Sequence, residues 1–272
     1  MDKGCHLGGR KKMIYKCDEN KREDLLNFLY NEPSVNLFAI GDIETYGFEH
    51  FDLDVWAYVD SKDEISGVLV RYKENVMPIH GKEFEGFDTF LPLIQSLTPL
   101  YISGNEEVIA QYEEEFEDYE KKENYLAECK ELAMESPLVQ EVVPLNKEDI
   151  SLYFDCLKEI GMMKQQTIEE ITNELDRDSN AIQVIKDETG KIVSTGRIAI
   201  ETKLSAMIVA VGTIQNYREK GYATAITAAL VNTCIQKKKT ACLFYSNPEA
   251  GRVYQHLGFK DTQKWIMLKS KV

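Results

Sequence analysis

No apolar run in the 272-residue chain approaches the roughly 20 residues that a membrane-spanning helix needs, which excludes such a helix. The first twelve residues (Met1 to Lys12) are short, Gly-rich and basic with no apolar stretch behind them. They read as a tail, neither signal peptide nor anchor, and the chain is expected to be cytoplasmic. The six cysteines (Cys5, Cys17, Cys129, Cys156, Cys234, Cys242) lack CxxC spacing, and the four histidines (His6, His50, His80, His256) lie far apart. That argues against a metal site and a disulfide framework and for reduced structural thiols. GxGxxG and GxxxxGK[ST] are both absent, so the two common nucleotide loops are excluded as well.

What is present is a soluble globular composition, 43% hydrophobic and 29% charged, long enough for two modules. The net charge of −14 argues against nucleic acid and anionic membrane as partners. The charge is unevenly placed. Residues 106–135 hold twelve Asp/Glu against three Lys/Arg, whereas residues 203–272 hold eleven Lys/Arg against three Asp/Glu. A basic final quarter inside an acidic protein suits a local anion site.

Periodicity predicts an α+β chain. Residues 13–105 read as a smaller α/β domain, with helices near Lys21–Tyr30, Val35–Thr45 and Gly86–Leu97. Its strands are expected at Val55–Val59, Ile65–Tyr72 and Leu100–Ser103. Residues 106–138 read as an acidic helical linker, because Val108, Ile109, Tyr112, Phe116, Tyr119 and Tyr125 recur at helical spacings. From 139 to 272 the pattern restarts with a short strand (Gln140–Pro144) and a helix capped by Asn146. A helix near Thr167–Leu175 and the hairpin Ala181–Ile185 and Ile192–Ile200 follow. The strand Ala206–Val211, the helix Tyr222–Lys238, the strand Ala241–Tyr245, the helix Pro248–Leu257 and a last strand near Trp265–Leu268 complete it. This order implies a mixed, mostly antiparallel sheet flanked by helices.

Two elements carry chemistry. The apolar strand ending at Val211 runs into a loop with Arg218-x-x-Gly221-x-Ala223, and an amphipathic helix begins at once. A helix N-terminus offers unpaired amides and the positive end of the macrodipole, so it suits phosphate. About twenty residues later comes Asn247-Pro248, an N-cap with Pro at the first helical position, followed by Ala250, Tyr254, Gly258 and Phe259. Seven residues separate Asn247 from Tyr254, about two helical turns, which places both on one face. Next to an anion loop, Tyr254 becomes a candidate proton donor.

The RxxGxA loop followed by NxxAxxxYxxxGF resembles the GNAT superfamily of N-acetyltransferases over residues 139–272. The resemblance implies a mixed sheet splayed open at its fourth strand, with acetyl-CoA in the splay as acyl donor and no metal. It implies that the backbone of Val211 and Thr213 bonds the pantetheine arm. The amides of Arg218, Glu219, Lys220, Gly221, Tyr222, Ala223 and Thr224 would cradle the pyrophosphate, and Asn247 would help hold the cofactor. Tyr254 would protonate the departing thiolate as general acid after direct attack by a primary amine on a small molecule or peptide. The pattern departs at the base: the strand position that carries a carboxylate in some members falls near Met207, and Glu201 is the nearest substitute. A non-catalytic acyl-CoA sensor or interaction module is the alternative that this departure leaves open. Residues 13–105 contain neither motif. They are expected to be a degenerate GNAT-like copy without cofactor binding, a cover for the acceptor side, or the contact of a homodimer.

Overall fold

A computed structural model describes residues 13–162 and 166–271; the expected tail at 1–12 lies outside these residues. The first half of the chain runs through β1 (Met13–Lys16), α1 (Arg22–Leu29), α2 (Leu37–Tyr46), β2 (Leu53–Val59), β3 (Ile65–Tyr72) and β4 (Asn75–His80). It continues through α3 (Phe87–Leu97), β5 (Tyr101–Asn105), α4 (Glu106–Ile109) and β6 (Tyr119–Cys129). The second half repeats that order of strands and helices. It comprises β7 (Val143–Pro144), α5 (Ile150–Glu159), α6 (Ile168–Arg177), β8 (Ile182–Lys186), β9 (Ile192–Glu201), β10 (Ser205–Thr213), α7 (Tyr222–Gln236), β11 (Thr240–Tyr245), α8 (Pro248–Leu257) and β12 (Lys260–Ser270). Among the described residues no helix is long and apolar enough to cross a membrane.

The chain forms two compact units, but not with the expected boundaries. One unit comprises residues up to Asn124 together with Lys264 onward, and the other comprises Tyr125–Gln263. In the first, β1 to β4 pair antiparallel in chain order, β5 joins β4 in parallel, and Tyr101–Asn105 of β5 pairs antiparallel with Trp265–Lys269 of β12. In the second, the order is β6-β11-β10-β9-β8-β7, with only β10 and β11 parallel. Each unit therefore takes a last strand from the opposite half of the chain. Ending the second domain at residue 272 missed this exchange, because sequence order does not reveal strand partners that are far apart along the chain.

The stretch 106–138 is not a helical linker. Helix α4 and a short 3-10 turn at Glu113–Phe116 end before Tyr119, and an eleven-residue strand follows. Val108, Ile109, Tyr112 and Phe116 are buried as their spacing predicts. From Tyr125 the chain pairs residue by residue with Tyr245–Ala241 of β11, and this tertiary pairing overrides a Glu-rich local preference. Strand β4 was also absent from the expectation; Pro78 sits inside it and demotes a strand reading. Asn146 makes no side-chain cap: a 3-10 turn Lys147–Asp149 precedes α5, and Asp149 instead pairs with Lys186 at 2.6 Å.

In the second unit, alternation along the strands feeds two apolar layers. Ile185, Val193, Ile198, Ala206 and Ile208 pack with Ala225, Ile226, Leu230 and Val231 of α7. Ile182, Val184 and Ile192 pack on the opposite side with Ile150, Tyr153 and Leu157 of α5 and Ile171 and Leu175 of α6. Helix α6 is opened by a full capping box, Thr167 with Glu170. Gly196 on β9 is the close-approach point for α7, since a Cβ there would meet Ile226 Cγ2 at 2.7 Å and Leu230 Cδ1 at 3.0 Å. Gly196→Val is expected to destabilise the protein by about 1–3 kcal/mol through overpacking, read as a lower urea midpoint. An unchanged midpoint would contradict this packing.

Candidate acyl-donor and acceptor site

The site begins where two parallel strands part. The β10–β11 ladder runs from Ser205↔Thr240 to Ile208↔Leu243 and stops, although β10 continues to Thr213 and β11 to Tyr245. Two features hold β10 away. Its pairing with β9 shifts register between Val209 and Gly212, and Ala210 within that bulge has φ +54°, a strained value for a residue with a Cβ. Ser194 of β9, fully buried, donates its hydroxyl to Gly212 O at 3.0 Å and lies 2.9 Å from Thr213 Oγ1. The edge of residues 209–213 that faces away from β9 thus has no strand partner in the ladder, and Val211 and Thr213 lie along it.

The loop after β10 is built to meet an anion. Glu219 (φ +64°) and Gly221 (φ +82°) both take left-handed backbone, and only the glycine does so without strain. The first backbone bond of α7 is Ala225 N–H to Gly221 O, so the amides of Tyr222, Ala223 and Thr224 precede it and have no intrahelical acceptor. Gly221 gives no side-chain cap. The loop is braced from both sides: Arg218 Nε donates to Thr213 O at 3.1 Å, and the Tyr217 hydroxyl donates to Asp187 Oδ2 at 2.7 Å. Lys220 Nζ lies over the Tyr217 ring, 5.0 Å from its centroid. The exposed run 218–221 therefore combines two cations, a left-handed turn and a helix dipole.

Helix α8 starts as expected. Asn247 Oδ1 accepts from Glu249 N–H at 2.9 Å, Pro248 follows it, and Gly258 closes the helix with φ +104°. Gly251 rests on the Tyr245 ring. Tyr254 is half-buried, with ring centroids 5.8 Å from both Tyr245 and Phe259, and it packs against the same core cluster as Val211 and Tyr222. Burial pushes its phenol pKa above the ordinary value, so at neutral pH its hydroxyl keeps its proton. The structure therefore gathers Tyr254, the loop helix and the open end of β10.

Glu201 is not among them. It pairs with Ala206, near the start of β10, whereas the strand opens after Ile208. Its carboxylate accepts from Lys237 at 2.6 Å and from Lys239 at 2.7 Å. Burial pulls its pKa up, but the two ammonium bonds outweigh that and hold it below the ordinary carboxylate value. It is an ion-pair partner, and Met207 beside it is fully buried.

Residue-type reasoning passed over a second group. Beside Val209 and Ala210 lies a cavity of about 350 Å³, lined also by Tyr153, Leu157, Met162, Gln166 and Arg197. Arg197 is the Cα partner of Val209 and donates Nη1–H to Glu174 Oε2 at 2.7 Å. Its signal in the sequence was a lone charge inside the apolar strand Ile192–Ile200. Among the described residues, no cluster of His, Cys, Asp or Glu could hold a metal ion.

The family model for GNAT acetyltransferases matches residues 58–268. The fold is similar to that of a GNAT-family acetyltransferase from Colwellia psychrerythraea, at 12% identity, TM-score 0.60, over 95% of this chain and 100% of the other. A GCN5-related N-acetyltransferase from Sphaerobacter thermophilus is similar at 13% identity, TM-score 0.61, over 94% of each chain. A tandem GNAT protein from the clavulanic acid biosynthesis pathway is similar at 10% identity, TM-score 0.58, over 95% of this chain and 98% of the other. No curated protein matches the chain.

Glu201→Gln is expected to leave the pH–rate profile unchanged while lowering stability by about 1 kcal/mol at neutral pH. Because the folded pKa is depressed, that stabilisation is present above the ordinary carboxylate pKa and is lost as pH falls through the lowered value. The wild type and the variant should therefore converge in acid denaturation. Loss of the acidic limb of the rate profile would instead make Glu201 the base.

Proposed function

Because the chain belongs to the GNAT acetyltransferase family, we propose that it moves an acetyl group from acetyl-CoA directly to a primary amine on a small molecule or peptide. The observation that carries this is the coincidence, within one unit, of the open edge of β10, the uncapped N-terminus of α7 and the half-buried phenol of Tyr254. The residues present fit the donor. Val211 and Thr213 offer backbone along the open edge for an amide-containing arm. The amides of Arg218 to Thr224, with the Arg218 and Lys220 charges, suit a pyrophosphate. Asn247 stands at the head of α8, its oxygen committed to the cap and its amide nitrogen left to donate.

When bound, acetyl-CoA supplies an activated acyl group; everything else falls to the chain. Tyr254 Oη holds a proton available to a leaving sulfur, and its raised pKa keeps that proton in place until a basic group forms nearby. With Met207 of β10 apolar and Glu201 of β9 held by two lysines, neither position supplies a carboxylate to take the proton of the amine. The acceptor then enters as the neutral amine or loses its proton to water.

The first half of the chain reads best as a GNAT-like copy that has lost donor binding. Its order of elements matches the second half, and β4 pairs with β5 only through Asn75 and Val76 before the two part. The loop that follows, Gly81 to Gly86, holds Lys82 with Glu83 and Glu85, an excess of one negative charge, whereas Arg218 to Gly221 holds Arg218 and Lys220 with Glu219, an excess of one positive charge. Phe84 fills the space: it stacks on His80 at 4.2 Å and lies against Gly67 and Gly86, where any Cβ would collide with its ring. The aromatic plug and the loop's net negative charge both disfavour a pyrophosphate there.

Isothermal titration should detect one acetyl-CoA per chain, weakened by added salt as expected for a polyanion on a basic loop. Tyr254→Phe should lower kcat about 100-fold while leaving acetyl-CoA affinity within a factor of about two. Absence of binding contradicts the donor site, and equal turnover removes Tyr254 from the chemistry.

A further inference from the structure

The cavity beside the β10 bulge is mostly apolar, formed by Leu157, Met162, Val209 and the ring of Tyr153, yet one wall is a guanidinium. The Arg197 side chain is only 11% exposed and belongs to β9, whose residue 197 faces Val209, the first residue after β10 leaves β11. The cation thus sits at the point where the donor site opens. Glu174 balances its charge from behind: Oε2 takes Nη1–H at 2.7 Å, and Glu174 does not line the cavity. With its amide oxygen turned toward the guanidinium, Gln166 accepts from Nη1 at 2.8 Å and Nη2 at 3.1 Å. These partners occupy the end of the guanidinium fork. Its side edge, Nε–H with the second Nη2–H, has no protein acceptor among the described residues.

The side edge of a guanidinium matches the two oxygens of a carboxylate. Glu174 meets the guanidinium through Oε2 on Nη1 only; its buried Oε1 has no hydrogen-bond partner among the described residues and does not serve that edge. A cavity of about 350 Å³ has room for an amino acid with an apolar side chain.

We propose that Arg197 is the specificity-determining residue for the acceptor, and that the acceptor is a small amine bearing a carboxylate, of the α-amino acid class. This rests on the acetyl-transfer reading of the site. Arg197 binds the carboxylate by its Nε/Nη2 edge, Glu174 and Gln166 hold the guanidinium in that orientation, and the apolar walls take the side chain.

The test uses the full-length protein with acetyl-CoA and a panel of apolar L-amino acids, their amides and their decarboxylated amines. The expected result is a kcat/KM at least about 100-fold higher for the best free acid than for its amide or its decarboxylated counterpart. Arg197→Gln should abolish that preference through KM, with acetyl-CoA affinity unchanged. Because this variant leaves Glu174 buried without its partner, Arg197→Gln/Glu174→Gln removes both charges together and should show the same loss. Titration of the free acid into the CoA-loaded protein reads the pocket without chemistry: binding of the acid and not of the amide supports the inference. Equal binding or equal use of acid and amide overturns it, as does failure of the acid to bind. If acetyl-CoA itself does not bind, the acetyl-transfer reading falls; if it binds and amides are acetylated as well as acids, only the carboxylate inference falls.

Discussion

The parting of β10 from β11 after Ile208 is the constraint on which the second unit depends. A parallel pair that stayed together to its end would satisfy its own backbone and leave nothing for a ligand. Here the pair is broken by a bulge whose strained residue, Ala210, is kept in place by the β9 ladder on both sides of it and by the buried Ser194 hydroxyl. The open edge, the cavity under the bulge and the direction in which the chain enters the Arg218–Gly221 loop all follow from that break. The strain is local and the support is distributed, which is how a packed core holds an unfavourable backbone conformation.

Electrostatics divides along the same line. Most of the chain's excess negative charge lies elsewhere, and in the loop the cations are fixed in number and place: Arg218 tied to the Thr213 carbonyl, Lys220 resting on Tyr217. Tyr217 is fixed in turn by Asp187, a partly exposed carboxylate whose pKa is held at about 2 by its bonds from Thr189 and Tyr217. The β8–β9 turn thus steadies the loop that begins α7. On the opposite side of the sheet the charges are buried and paired. The Arg197–Glu174 couple keeps a cation beside an apolar cavity without leaving it uncompensated.

Much of this was legible in residue order, for identifiable reasons. The elements of the second half follow from strong apolar periodicity and sharp punctuation: Gly221 before α7, Asn247-Pro248 before α8 and Gly258 after it all stand where their backbone chemistry requires. Helical spacing ties Tyr254 to Asn247 on α8. What could not be read was pairing over long distance. Tyr119 to Cys129 looks helical by its glutamates and becomes a strand because β11 lies beside it, and the C-terminal strand completes the sheet of the first half. Glu201 was proposed by its position along the chain, and two lysines in the turn after α7, invisible to that reasoning, neutralise it. Arg197 was overlooked for the converse reason: a single charge in an apolar strand acquires meaning only once a cavity is seen in front of it.

The central claim is that the open edge of β10 and the N-terminal turn of α7 together receive the acyl donor. Amide hydrogen exchange measured with and without CoA tests it most directly, because both elements are uncapped backbone. The account predicts that adding CoA slows exchange at residues 209–213 and 219–224, while the Gly81–Gly86 loop of the first unit, plugged by Phe84, is unaffected. Unchanged exchange in the β10 edge and the α7 turn, or protection confined to the first unit, would contradict it.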